Sequence, residues 1–296
     1  MSAVRWFTKS GLSALVLLLA CGLATAWFGN VPQLPSTTTR DGTLITLNRY
    51  AREPIPDIVF VGSSLTFRLK EEYFATPRLR NLALAGGSPV TGLEIVANQP
   101  LLPKIILVEV NILSRAPDTA LIERYSKKGS ADPLFFRPIR TAVAAYENWR
   151  HAPLTHAQAS LALGQLLAQP PSDFDNRIYV ERALQREDAA DPTAVVRASV
   201  MRMREVIATV EQRGARVLLF ELPLSAPLER SRSAQITREI VHAGFPDSAR
   251  WLRLDFARSE LRWADGVHLD ERSAVIMAQS IERALSSLPE AAVTTP

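Results

Sequence analysis

The chain has 296 residues but a single cysteine, Cys21, which lies inside an N-terminal apolar run. One cysteine excludes an internal disulfide and a metal site built from cysteines. A globular part without cysteine is compatible with an oxidising compartment. There is no block of basic residues and no interleaving of such a block with aromatics. The formal net charge is only +4, from 34 basic and 30 acidic residues spread along the chain. Nucleic-acid binding is therefore disfavoured. No internal repeat is visible. Histidine is scarce as well, with only His151, His156, His242 and His268, so few side chains could act as a base near neutral pH. What the chain does have is 47% hydrophobic residues, enough to bury a real core in one or two domains.

The N-terminus reads as a membrane address. Arg5 and Lys9 precede an uncharged stretch from Ser10 to Thr39, with its apolar heart at Gly11–Phe28. Eighteen to twenty-two helical residues span roughly 27–33 Å, about one hydrocarbon core. Positive residues ahead of such a run predict a cytoplasmic N-terminus and an exported remainder. Two processed alternatives exist: Ala24-Thr25-Ala26 resembles a signal-peptidase site, and Leu18-Leu19-Ala20-Cys21 a weak bacterial lipobox. The run stays apolar beyond both, through Trp27 and Phe28, which favours an uncleaved transmembrane helix over residues 1–28. Residues 29–56 then read as tether and lead-in, with Gly29–Arg40, containing Pro32 and Pro35, extended.

From Asp57 the chain alternates strand and helix. Ile58–Val61, Leu79–Leu84, Ile105–Val110, Val217–Phe220 and Trp251–Phe256 read as five strands. Pro89–Gln99, Thr193–Arg213 (closed by Gly214), Leu228–His242 and Asp270–Leu288 carry helical spacing. The third strand is nearly continuously apolar, as expected for one covered on both faces. Strands separated by helices predict an α/β fold with a doubly wound, mainly parallel five-stranded sheet over residues 57–290, followed by a short tail, 291–296. Residues 114–191 are too long for a simple crossover and predict a helical insertion, with patches at Ile139–Trp149 and His156–Leu167. Its aromatics and arginines (Tyr125, Phe135, Phe136, Arg137, Tyr146, Trp149, Arg150) fit either a cap over the carboxyl edge of the sheet or a small core of the insertion's own.

Two stretches carry chemistry. In Asp57-Ile-Val-Phe-Val-Gly-Ser-Ser-Leu-Thr-Phe-Arg68 a strand runs through Gly62 into Ser63-Ser64 and a helix start. A serine there stands where α/β sheets place ligands, beside unpaired N–H groups, although either serine could equally cap the helix. In Trp263-Ala264-Asp265-Gly266-Val267-His268 a carboxylate three residues ahead of an imidazole can fix its tautomer, turning Nε2 toward a nucleophile.

Taken together, Asp57–Thr66, Asn81–Gly86, Glu109–Asn111 and Asp265–His268 resemble, in order and context, the four blocks of the SGNH (GDSL-type) hydrolase superfamily. The resemblance covers about Asp57–Leu288 apart from the insertion, and implies the flavodoxin-like SGNH fold. It places the nucleophile on Ser64, in Gly62-Ser63-Ser64-Leu65, where the family has Gly-Asp-Ser-Leu. Asp265 and His268 would complete a triad. The Ser64 N–H, the Gly86 N–H and the Asn111 amide would form the oxyanion hole. Arg68 and Trp263 are candidate substrate-binding residues. No metal or organic cofactor is required. The chain departs from the family pattern at two positions: Ser63 replaces the aspartate, and Glu109 replaces the glycine of the third block. Ser63 cannot supply a carboxylate. Glu109 could set negative charge near the oxyanion or point elsewhere.

An N-terminal anchor joined to such a domain is similar in layout to the proteins that O-acetylate bacterial cell-surface polysaccharides, and to the anchored protein of teichoic-acid D-alanylation. That likeness implies an inner-membrane protein with its catalytic domain in the periplasm or extracytoplasmic space. It would act on a glycan or other ester, beside a multipass membrane-bound O-acyltransferase. The alternatives are an envelope esterase or lipase-like hydrolase, and a catalytically silent glycan-binding or scaffold subunit.

Overall fold

In the computed structural model of the chain, residues 3–27, 39–126, 156–189 and 191–288 are described. Four strands form one parallel sheet among them: β1 (Ile58–Val61), β2 (Leu79–Asn81), β3 (Ile105–Glu109) and β4 (Arg216–Phe220), in the order β2-β1-β3-β4. The register sets Val59 opposite Ile106 and Ile106 opposite Val217. All four strands therefore end on one rim, where Gly62, Leu82, Val110 and Glu221 follow them.

Side-chain alternation along these strands sorts the core into two layers. Val59, Val61, Ile106, Val108, Val217 and Leu219 face one side, covered by α4 (Pro89–Ala97) and α8 (Thr193–Gln212). Phe60, Leu107, Leu218 and Phe220 face the other, against Val275, Met277, Ala278 and Ile281 of α11 (Glu271–Ser286) and Leu65 of α3 (Ser64–Phe67). Burying each such aliphatic side chain is worth about 1.5–3 kcal/mol relative to exposure, so the sheet is clamped from both faces. The wound α/β architecture thus follows from apolar runs that have no polar face to leave in water.

The remaining helices are α1 (Ala3–Trp27), α2 (Thr39–Arg52), α5 (Thr119–Tyr125), α6 (His156–Ala168), α7 (Arg177–Ala189), α9 (Ala226–Glu229) and α10 (Arg232–Gly244). Several expectations change. The sheet has four strands rather than five. Trp251 makes one parallel bridge to Leu219 and the Leu252 N–H bonds the Leu219 carbonyl, but the chain then leaves the ladder. The Asp255 carbonyl instead accepts from Ser280 and Arg283 of α11. The helix expected over Leu228–His242 is two helices, because Ser231 breaks the run and caps α10 with its hydroxyl.

The lead-in contains a helix, α2, which docks through Leu47, 1% exposed; Thr39 and Arg40, the end of the stretch expected to be extended, belong to it, and residues 29–38 lie outside the described residues. Among the described residues no helix is long and apolar enough to cross a membrane. The expected anchor is helical over Ala3–Trp27, but the side chains that complete its apolar run, at Cys21 and Ala24–Phe28, lie outside the described residues.

The described parts of the insertion pack on the main core rather than on each other. Tyr125 is buried in the first layer and its hydroxyl donates to Asn48 of α2. Leu163, Leu166 and Leu167 of α6 lie against the second layer. The expected helix at Ile139–Trp149, and with it Phe135, Phe136, Arg137, Arg150 and His151, lies outside the described residues, as does the tail.

Candidate active site

Ser64 sits at the rim because β1 stops at Val61 and the chain turns at once into α3. Gly62 must lack a side chain: a Cβ there would lie 2.4 Å from Thr66 Oγ1 and 3.0 Å from Glu109 Oε2. Ser63 is the N-cap, with its hydroxyl accepting from the Leu65 N–H. This leaves Ser64 as the first helical residue, half-buried, its hydroxyl free to face outward. Asn81 braces the far end of α3, its amide donating to the Thr66 and Leu69 carbonyls.

His268 reaches the same rim on a short hairpin. Trp263 bridges Leu269 in antiparallel fashion, and the Ala264 N–H bonds the His268 carbonyl. Gly266 makes the tip at φ +86°. The hairpin is held from outside as well. The Trp263 indole N–H donates to the Pro223 carbonyl, Asn176 of the insertion donates to the Trp263 carbonyl, and the Ser225 N–H bonds the Gly266 carbonyl.

These supports bring three side chains into line. His268 Nε2 is 2.8 Å from Ser64 Oγ, and His268 Nδ1 is 2.7 Å from Asp265 Oδ2. An ionised carboxylate only accepts, so the proton sits on Nδ1 and Nε2 is the free lone pair facing the hydroxyl. The other carboxylate oxygen, Oδ1, accepts from the Val267 and His268 N–H groups at 3.1 and 2.7 Å. Burial pushes the Asp265 carboxyl up, but the hydrogen bonds and charge of His268, with help from the Val267 N–H, outweigh it and hold the group at about 2. The acid is therefore anionic across all ordinary conditions.

The other sequence-derived residues are more dispersed. Gly86 lies on the neighbouring turn with φ +81°, two residues beyond Leu84, whose N–H bonds the Gly62 carbonyl. Asn111 stands on the rim after β3, but its side chain is engaged at both ends: Nδ2 donates to the Leu222 carbonyl and Oδ1 accepts from the Leu222 N–H, at 2.8 and 2.7 Å. One amide hydrogen remains for another acceptor. Arg68 is exposed at the end of α3 and, with Phe67, Leu269 and Glu271, lines a groove of about 740 Å³ that reaches α2. Trp263 has the Arg258 guanidinium 5.5 Å above its ring and lines a separate cavity of about 820 Å³ with Phe174 and Asn176. His242 is on the far side of β4, stacked on Trp251 and 3.3 Å from Glu221. Among the described residues no three His, Cys, Asp or Glu side chains gather as metal ligands would.

Sequence reasoning left the direction of Glu109 open. The side chain is fully buried and turns toward the nucleophile turn, where it accepts from Ser63 and Thr66. Strand parity carried that signal: Glu109 shares the face of Ile105 and Leu107, which is the face α3 covers. The roles of Asn176 and Asn81 as braces have no counterpart in sequence spacing, since each acts on a segment remote along the chain. A scan against protein-family models finds no match to this chain, and no curated protein matches it either.

Proposed function

We propose that the protein is a serine-dependent acyltransferase or esterase of SGNH type, anchored in the bacterial inner membrane, that O-acylates a cell-surface or secreted polysaccharide. The observation that carries this reading is the continuous chain Ser64–His268–Asp265, at 2.8 and 2.7 Å, on the carboxyl rim of a parallel sheet. A serine hydroxyl is a poor nucleophile until a base takes its proton during attack. His268 Nε2 would take that proton while Ser64 Oγ bonds to the acyl carbonyl carbon, and Asp265 would stabilise the resulting imidazolium. The Ser64 N–H at the start of α3, the Gly86 N–H and the second amide hydrogen of Asn111 are the donors proposed for the oxyanion. Collapse of the tetrahedral adduct passes the proton from His268 to the departing oxygen and leaves an acyl-serine. An incoming hydroxyl then gives its proton to His268 as its oxygen bonds to the acyl carbon, and His268 returns that proton to Ser64 Oγ as the acyl–serine bond breaks.

Water and a sugar hydroxyl are both competent in that last step, so hydrolysis and transfer share one intermediate. The uncharged stretch Ser10–Thr39, preceded by Arg5 and Lys9, supports a domain held at the membrane, where a multipass O-acyltransferase would deliver the acyl group. This tips the reading toward transfer. The test uses full-length protein in detergent with an aryl acetate. Turnover abolished by Ser64→Ala supports the nucleophile, whereas turnover indifferent to that change removes it. Adding an oligosaccharide then separates the two outcomes, because only transfer yields acylated sugar.

A further inference from the structure

Glu109 is 0% exposed and ends β3 with no Lys, Arg or His at salt-bridge distance among the described residues. Its carboxyl group is met by hydrogen bonds alone. Oε2 accepts from the Ser63 N–H at 2.7 Å, the Ser63 hydroxyl at 2.6 Å and the Thr66 hydroxyl at 3.1 Å. Oε1 accepts from the Ile112 N–H at 3.2 Å. The Ser63 oxygen accepts in turn from the Leu65 N–H at 3.2 Å. The two N–H groups can only donate, and both hydroxyls stand at donating distance. Taking a carboxyl group out of water is costly, and an apolar side chain at this place would not bear that cost. Packing therefore does not explain it, and what it holds does.

Its two oxygens grip the two segments on either side of the reacting position. One takes both donors of Ser63, the residue just before Ser64, together with the hydroxyl of Thr66, two residues beyond it. The other takes the residue just after Asn111. We propose that Glu109 is the positioning residue of the nucleophile turn: through Ser63 and Ile112 it fixes the Ser64 N–H and hydroxyl relative to the Asn111 segment, in the place where the transition state needs them. The two departures from the SGNH pattern, at Ser63 and Glu109, are then one device, in which the carboxylate of this turn is supplied from β3 instead of from the turn itself. The proposal rests on Ser64 being the nucleophile.

The test is Glu109→Gln in the full-length protein, with the concentration of active sites counted by phosphonylation of Ser64 with a p-nitrophenyl alkylphosphonate. An amide presents a donor to one of the existing donors, so the turn must shift. Per counted site, kcat for an aryl acetate is expected to fall roughly tenfold to a hundredfold, the scale of misplacing a reacting group by up to an ångström. KM should stay within about twofold, and the rate of Ser64 phosphonylation should fall in parallel with kcat. Ser63→Ala, which keeps the carboxylate but removes its closest donor, should show the same kcat-selective loss to a smaller degree, and it serves if Glu109→Gln does not fold. A purely structural role would lower the melting temperature or the number of active sites and leave kcat per site and the phosphonylation rate at wild-type values. That result overturns the proposal while leaving Ser64 in place. A folded wild-type protein whose Ser64 is not phosphonylated overturns the nucleophile itself, and this inference with it.

Discussion

At Asp265 the two carboxylate oxygens have separate duties: Oδ2 faces the imidazole and Oδ1 takes two backbone N–H groups of its own loop. Asp265→Asn keeps the shape but offers an amide N–H where Nδ1–H needs an acceptor, or forces the other tautomer, which turns a protonated Nε2 toward Ser64. A fall of about 10³–10⁴-fold in kcat is expected, with little change in KM, in steady-state hydrolysis of an aryl acetate. The same carboxyl also sets a pH dependence of stability. Its folded value, about 2, lies below the ordinary carboxylate value, so its contribution is complete above roughly pH 4 and disappears as pH falls through 2. The melting-temperature gap between wild type and Asp265→Asn should therefore be constant from pH 7 to pH 5 and shrink on acidification toward pH 2. A gap that widens on acidification would contradict the ionised, hydrogen-bonded state of this acid.

The element that delivers the imidazole is the hairpin Trp263–Leu269, and its tip tolerates only glycine. Gly266 has φ +86°, and an added Cβ would lie 2.7 Å from Val180 Cγ2. The left-handed backbone alone costs a residue with a side chain about 1–2 kcal/mol. Gly266→Ala should thus lower stability by at least that amount in a denaturant titration, and lower kcat as His268 loses its seat. Behind the hairpin, Asp270 caps α11 by accepting from the Ser273 N–H at 2.8 Å. Asp270→Ala should cost about 1 kcal/mol, or roughly 2–4 °C in Tm for a chain of this size.

Legibility in the sequence follows the same physics. β1, β3 and β4 were readable because a strand buried on both faces needs an unbroken apolar run. The Asp265–His268 pair was readable because three residues are enough to close a side-chain contact around a glycine turn. Trp251–Phe256 misleads because its alternating pattern is real, yet after one bridge the Asp255 carbonyl is taken by Ser280 and Arg283 of α11 instead of a neighbouring strand. The helix α2 is hidden by the polar, mixed character of Thr39–Arg52, where Leu47 and Asn48 are buried and Tyr50 and Ala51 pack only partly against the core. Ser63 and Glu109 are 46 residues apart. No local spacing ties them, so two apparent losses from a pattern were not legible as a single contact.

For the molecule as a whole, the question is how far the rim of the sheet can stand from the bilayer. The wound core holds α2 in its first layer through Leu47 and through the Asn48–Tyr125 bond, so on the proposed topology the chain from Trp27 to Thr39 is what joins the domain to the membrane. Residues 28–38 cannot reach beyond about 36–40 Å even if fully extended, so on that topology the height of Ser64 above the membrane surface is bounded by this reach plus the breadth of the domain. A water-soluble ester finds Ser64 by free diffusion and is indifferent to that leash. An acyl group handed over by a membrane-embedded partner is not, because the effective concentration of the site at the donor falls as the tether lengthens. Inserting a flexible Gly/Ser segment of about 40 residues, with an r.m.s. reach of roughly 30–40 Å of its own, after Gln33 should therefore leave aryl acetate turnover unchanged and reduce glycan acylation in intact cells several-fold. Equal loss of both would mean that the insertion has damaged the domain. Unchanged glycan acylation would mean that the acyl group does not reach Ser64 from a membrane-embedded donor.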